Sequence, residues 1–462
     1  MEQERVLAVA TWGDPSRWFY AEYISGEKRV WAFSTLSILR EVERPAKILV
    51  VVLDTLADYE TVEAGNYGKI LEHVERYVGQ YLCGVEAEVA VLPGVYERRE
   101  SDGKRLLFES SPRSEFLPLL TYTVLEKALE ADATSIVLDV SHGMNFMPTL
   151  ALRACEEAAA ALATARVGRV RLRVYQSDPY PAGVRAPSRS SEDICKPGQD
   201  GEPPILNYNL ILERAFEPWD LARYISYESQ QALKVLTDVR GCELGDARNL
   251  LEGQTLPLLG AFRLGALLQL ALLAKVAPMD ELKRILEGAV NCWKSKRGVR
   301  EGGPGTLEVS SGTRFAAGFW VLVHVRAVLE GARKLLELTR EPTQLGEVAV
   351  TLDELGRLKK LVEGSKVISA LVNREISKLV YLEGEWLKFR SGSGWLRCDE
   401  LQLKCGSDEG RVDESIFKRD FIAHAGFHTD ALEIRLAEKE LEIRVRSDQW
   451  ERVNRVLREL TQ

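Results

Sequence analysis

Ser135-Ile136-Val137-Leu138-Asp139-Val140-Ser141-His142-Gly143 runs from an almost unbroken apolar stretch into a polar turn. Branched apolar residues without polar alternation suit a strand buried on both faces, as happens when helices cover both sides of parallel strands. Arg5 to Ala10, Lys47 to Leu53, Glu86 to Leu92 and Val170 to Gln176 are short Val-, Ile- and Leu-rich runs of the same kind. Helical stretches separate them at Thr61 to Tyr81, Glu115 to Ala131 and Met147 to Arg166. Strand, helix, strand in that order predicts an α/β, Rossmann-like N-terminal domain with a mostly parallel sheet.

Tyr180 to Pro204 fills with Pro, Gly, Ser and charge and reads as a long exposed loop. The pattern then changes. Ser226 to Val239, Leu256 to Val276, Met279 to Trp293, Arg314 to Leu338 and Thr351 to Leu379 carry Leu and Ala at helical spacing. The expected division is therefore 1–215 and 216–462, the second part mainly helical. Near the end, Leu432 to Leu436 and Leu441 to Val445 alternate like a small hairpin around Glu438-Lys439, before a final helix from Gln449 to Leu460.

A chain of 462 residues, 45% apolar and 28% charged, has room for more than one cored domain. It has no apolar run long enough for a membrane span and no signal-peptide pattern at Met1-Glu2-Gln3-Glu4-Arg5, which predicts a cytoplasmic protein with no membrane partner. Its net charge of −8 argues against coating nucleic acid through global electrostatics, so any RNA contact must be local. The seven cysteines lack a Cys-x-x-Cys and predict neither a disulfide framework nor a zinc knuckle. Only five histidines are present, so imidazole chemistry has few places to sit.

Ligands of open parallel sheets bind beyond the carboxyl ends of the strands, where helix N-termini point free N–H groups into a crevice. Three polar loops follow predicted strands: Thr11-Trp12-Gly13-Asp14-Pro15, Ser141-His142-Gly143-Met144-Asn145 and Ser177-Asp178-Pro179. Gly13 and Gly143 permit close backbone approach, Ser141 and Asn145 bring hydroxyl and amide groups, and Trp12 offers a stacking face for a base. The same residue types also serve ordinary strand-to-helix turns, and both readings stay open. No phosphate-binding glycine motif competes: Gly68-Lys69 is followed by Ile70 and preceded by Glu63 where the leading Gly belongs.

Arg419-Asp420-Phe421-Ile422-Ala423-His424 combines a guanidinium, suited to the equatorial oxygens of a phosphorane, with an imidazole suited to proton transfer. Five residues turn an ideal helix through roughly 140°, so the two side chains would not share a face unless a two-fold dimer pooled them. Asp420, four residues before His424, is expected to orient the imidazole. His424 and His428 have the spacing of a zinc pair, but Ala425 and Gly426 intervene and no third ligand is evident, so no metal is expected.

These segments, with Trp18, Asp139 to Pro148 and Tyr175 to Pro179, resemble the CARF–HEPN ancillary ribonucleases of type III CRISPR antiviral defence. The resemblance implies a Rossmann-like CARF domain that dimerises and binds a cyclic oligoadenylate, cyclic tetra-adenylate above all, across its two-fold axis. It also implies a helical HEPN domain whose dimer cleaves single-stranded RNA without metal or other cofactor, in a homodimer or a higher oligomer. Carried onto this sequence, the messenger site falls on Trp12, Gly13, Ser141, His142, Gly143, Asn145 and Ser177, and the nuclease site on Arg419 and His424. One departure is Asp420, where the family commonly has Asn, adding negative charge beside a phosphate site. The competing reading is a ligand-sensing binding protein or transcriptional regulator whose nuclease domain is degenerate.

Overall fold

All five apolar runs form strands of one sheet. In the computed structural model the described residues run from 4 to 460, apart from 64, 100–102, 184–185, 200, 226–233, 238–240, 243, 246, 339–347, 390–393, 399–413 and 438–439. The first ten strands are β1 (Val6–Trp12), β2 (Ala21–Ser25), β3 (Lys28–Ala32), β4 (Lys47–Leu53), β5 (Glu88–Leu92), β6 (Tyr96–Arg99), β7 (Arg105–Phe108), β8 (Ser135–His142), β9 (Val170–Ser177) and β10 (Ile205–Phe216). The main sheet has the order β3-β2-β10-β9-β8-β1-β4-β5. From β9 to β5 every pairing is parallel. Residues 6–12 of β1 are all buried, the continuous apolar burial expected of a central strand covered on both faces.

Several elements depart from the sequence reading. β1 and β8 extend through Trp12 and His142, so those residues end strands instead of lying in loops. The helix expected from Thr61 to Tyr81 is two helices, Tyr59–Glu63 and Tyr67–Gln80, the second capped by the Asn66 side chain. The β2–β3 hairpin and β10, which pairs antiparallel with β9, make the sheet mixed. β10 leaves Ile205, Leu210 and Ile211 exposed, so it lacks the clean apolar signature that marks β8. Of the helix expected at Ser226 to Val239, the described part holds the short strand Leu236–Thr237, paired with Arg314–Phe315; the rest lies outside the described residues.

The second half is mainly helical, and the hairpin Leu432–Ala437 with Glu440–Val445 forms as expected, its turn lying outside the described residues. One sheet spans both halves. Strands Arg297–Gly303 and Thr306–Ser311 join β7 and β6, with Thr306 opposite Arg105 and Val309 opposite Phe108. Arg297, which opens the first of these strands, and Asp54, 243 positions apart, form an ion pair with no exposed side-chain surface. Helices Met147–Arg166 and Ala317–Leu335 also cross between the halves. A Cβ on Gly331 would lie 2.2 Å from the Thr164 carbonyl oxygen, so only glycine lets these helices approach so closely.

The cysteine expectation is corrected. Cys83 is bonded to Cys195 and Cys242 to Cys292, while Cys155 is free and, like Cys398, buried; Cys405 lies outside the described residues. Separations of 112 and 50 positions hid both pairs, because spacing says nothing about which distant cysteines meet. The first bond ties the 180–204 segment to the end of the Tyr67–Gln80 helix, and Arg189 from that segment lies over the rings of Phe33 and Tyr81. No described helix is long and apolar enough to cross a membrane.

Candidate functional site

The carboxyl ends of β1, β8 and β9 lie side by side in the sheet. Trp12 sits opposite His142 in the β1–β8 register, the Gly13 N–H donates to the His142 carbonyl at 2.8 Å, and the Ser177 N–H donates to Ser141 Oγ at 2.9 Å. Two residues not singled out in the sequence hold this edge. Asp139, buried at the end of β8, accepts from the Ser141 N–H at 2.9 Å and from the Thr35 hydroxyl. Burial raises its pKa, and the hydrogen bonds from Ser141 and Thr35 offset part of that rise. The Thr35 N–H donates to His142 Nε2 at 3.3 Å, which places the imidazole proton on Nδ1.

The candidate ligand residues divide on exposure. Trp12 is 1% exposed and packs edge-on against Trp18, so the proposed stacking face is corrected: it belongs to the core. Trp18 instead stacks on His142, with centroids 4.1 Å apart. Gly13 and Gly143 make room for this chain's own atoms: an added Cβ would lie 2.7 Å from Met144 Cγ in the first case and 2.4 Å from Thr11 Oγ1 in the second. Ser141, His142 and Ser177 stay partly exposed, and Asn145 is exposed in the left-handed region at φ 53°. Immediately after it begins the Met147–Arg166 helix, whose N-terminus has no side-chain cap.

Burial pushes the His142 pKa from 6.5 down to about 4. The unfolded chain therefore binds more protons than the folded one between these values, and His142 makes stability fall as pH drops through 6.5 toward 4. In an NMR titration the His142 ring is expected to stay neutral from pH 8 to about pH 5. A midpoint near the ordinary histidine value would contradict this environment.

At the other end of the chain, helix Glu414–Ala423 carries Arg419 and Asp420 and stops just before His424. Ala425 and Gly426 follow with φ of 48° and 83°, and the Gly426 N–H reaches back to the Phe421 carbonyl at 2.8 Å, a left-handed helix end. Gln269, buried on helix Leu267–Val276, donates to the Gly426 carbonyl at 2.8 Å and fixes this turn from below. Phe417 and Phe421 anchor the helix in the core.

The partner expected for His424 is corrected as well. Asp420 accepts from Arg419 Nε at 3.0 Å, and the imidazole turns to Glu375, Nδ1 to Oε1 at 3.1 Å. Glu375 is buried on helix Lys366–Phe389 and also binds Arg374 Nε at 3.0 Å and Lys378 Nζ at 2.8 Å. Burial alone would raise the Glu375 pKa, but hydrogen bonds from Lys378, His424 and Arg374 outweigh it and hold the carboxyl below its usual range. An ionised carboxylate only accepts, so Nδ1 carries a proton, and in the neutral imidazole that tautomer leaves the lone pair on Nε2. The sequence signal for Glu375 is an acid on the apolar stripe Val372, Ile376, Leu379, where a charge persists only if paired. Arg419 keeps a side chain that is 74% exposed. His428 is buried against Phe417, accepts from the Asp430 N–H at 3.3 Å, and belongs to no group of metal-ligating residues among those described.

Two family models match the chain. One, described as CRISPR system endoribonuclease Csx1, CARF domain, covers residues 7–179 and so begins in β1 and ends just past β9. The other, CRISPR system endoribonuclease Csx1, HEPN domain, covers residues 365–449 and takes in Glu375, Arg419 and His424. The chain belongs to the CARF–HEPN family. The joined ends of β1, β8 and β9 thus lie in the CARF match and the Arg419–His424 segment in the HEPN match. The chain is also 32% identical over 178 residues to the CRISPR system endoribonuclease Csx1 of Methanocaldococcus jannaschii, an alignment covering 38% of this chain and 37% of that relative's length.

Proposed function

We propose that this CARF–HEPN protein is a metal-independent endoribonuclease of CRISPR antiviral defence that cuts single-stranded RNA when a cyclic oligoadenylate, cyclic tetra-adenylate above all, occupies the CARF crevice. The observation that carries this reading is the His424 imidazole oriented by buried Glu375 beside exposed Arg419. Nε2 takes the proton of the RNA 2′-OH, the 2′-oxygen attacks the adjacent phosphorus, and the 5′-oxygen leaves with a proton from a general acid. The products are a 2′,3′-cyclic phosphate and a free 5′-OH. The Arg419 N–H groups left over from its pair with Asp420 steady the phosphorane oxygens. Asp420 thus tempers the Arg419 charge and does not orient the imidazole. In a homodimer a second copy supplies the same pair to the shared cleft, so one imidazole acts as base and the other as acid.

Messenger binding falls on Ser141, His142, Asn145 and Ser177, with Trp18 replacing Trp12 as the aromatic neighbour. Residues 1–215 sense and residues 216–462 cut, although a shared sheet joins them. A path for coupling is built from packed elements. Helix Met147–Arg166 starts at the crevice, its Glu157 holds His324 at 2.6 Å, the His324 helix packs on Leu267–Val276, and Gln269 there holds the turn after His424. A messenger shifts the nuclease only if it binds one arrangement of this path more tightly than another.

The test is RNA cleavage with EDTA present, with and without cyclic tetra-adenylate. Stimulated cleavage leaving 2′,3′-cyclic phosphate ends is expected. Activity that disappears with EDTA, or that ignores every ring size, would sink the assignment.

A further inference from the structure

Helix Lys366–Phe389 brings more than Glu375 to the His424 site. Arg374 and His424 share one oxygen of the Glu375 carboxylate, Lys378 takes the other, and an Arg374 Nη donates to the carbonyl of Ala423 at 3.2 Å. Both cations therefore flank the imidazole, and their side chains remain 52% and 37% exposed. Tyr381 is 70% exposed. Spacings of four and seven residues place Arg374, Lys378 and Tyr381 within about 60° of one another around the helix, over about 10 Å of its length. Arg374, Lys378 and Arg419 outnumber the carboxylates of Glu375 and Asp420 here, whereas the whole chain carries −8. A polyanion repelled by the rest of the surface has a local reason to settle at this place.

We propose that Arg374, Lys378 and Tyr381 form a subsite for the nucleotide next to the scissile phosphate of single-stranded RNA, the cations holding its phosphate and the tyrosine ring stacking on its base. The subsite rests on the nuclease reading above and adds to it the residues that seat the strand. Stacking on an exposed ring tolerates any base, so the stripe supplies affinity and register without sequence choice.

The experiment measures anisotropy of a labelled single-stranded oligoribonucleotide on the full-length, non-cleaving His424→Ala protein with cyclic tetra-adenylate present. Adding Tyr381→Ala is expected to weaken binding by about 10- to 100-fold, and Tyr381→Phe to restore it. Lys378→Ala is expected to flatten the dependence of log affinity on log salt by about 1. Unchanged affinity in Tyr381→Ala overturns the subsite. So does a loss of affinity accompanied by a changed oligomeric state in light scattering, which would make this face a contact between copies. Cleavage by the unmodified protein is followed in parallel. Its absence removes the nuclease reading and the subsite together, while intact cleavage with unaltered Tyr381→Ala affinity removes the subsite alone.

Discussion

His424→Ala lowers RNA cleavage by about 10²- to 10⁴-fold, the range for loss of a general acid–base group, and leaves messenger binding intact. The imidazole is mostly buried against Glu375, so a melting curve run beside the cleavage assay separates lost chemistry from lost folding. Glu375→Ala is the companion variant. It touches no substrate, yet without its carboxylate nothing selects the Nδ1–H form or aims Nε2, and kcat falls by about 10- to 100-fold. Glu375→Gln, which still offers an acceptor, recovers part of that loss. Single-turnover rates at saturating RNA give these values. A His424→Ala protein that keeps more than about a tenth of the activity would remove this residue from the chemistry.

Arg297→Ala is expected to destabilise the protein by about 3–5 kcal/mol, the cost of stranding one partner of a buried ion pair. The guanidinium donates to Asp54 from Nε at 2.9 Å and to the Glu109 carbonyl at 2.9 Å, and it lies over the rings of Tyr67 and Trp293. Asp54 in turn accepts from the Gly94 N–H at 2.9 Å and the Tyr67 hydroxyl at 3.2 Å. Removing the arginine leaves a carboxylate with no exposed surface and no counter-charge, at the seam where β4 of the CARF region meets the Arg297–Gly303 strand. Urea unfolding followed by tryptophan fluorescence reads the effect. A midpoint close to that of the unmodified protein would mean that water or relaxation compensates Asp54.

Much of the N-terminal fold was legible because its signal is one-dimensional. β8 and the Met147–Arg166 helix announce themselves through runs whose composition depends on burial on every side. β10 does not, since a strand with exposed apolar residues and polar neighbours gives neither a continuous nor an alternating pattern. The Cys83–Cys195 and Cys242–Cys292 disulfides and the sheet shared by β7 and Thr306–Ser311 were illegible for another reason: each joins segments whose pairing leaves no mark in local spacing.

For the candidate sites, the chain alone pointed to Arg419, His424 and the Ser141-His142-Gly143 turn, because rare residue types in a short window suggest their own chemistry. It could not say that Trp12 faces inward, that Asp420 pairs with Arg419, or that Glu375, 49 positions from His424, holds the imidazole. Side-chain identity is a property of the sequence. Which carboxylate reaches which imidazole depends on how two helices pack, and that is settled by burial of Val372, Leu379, Phe417 and Phe421 in a common core, far from the charges themselves.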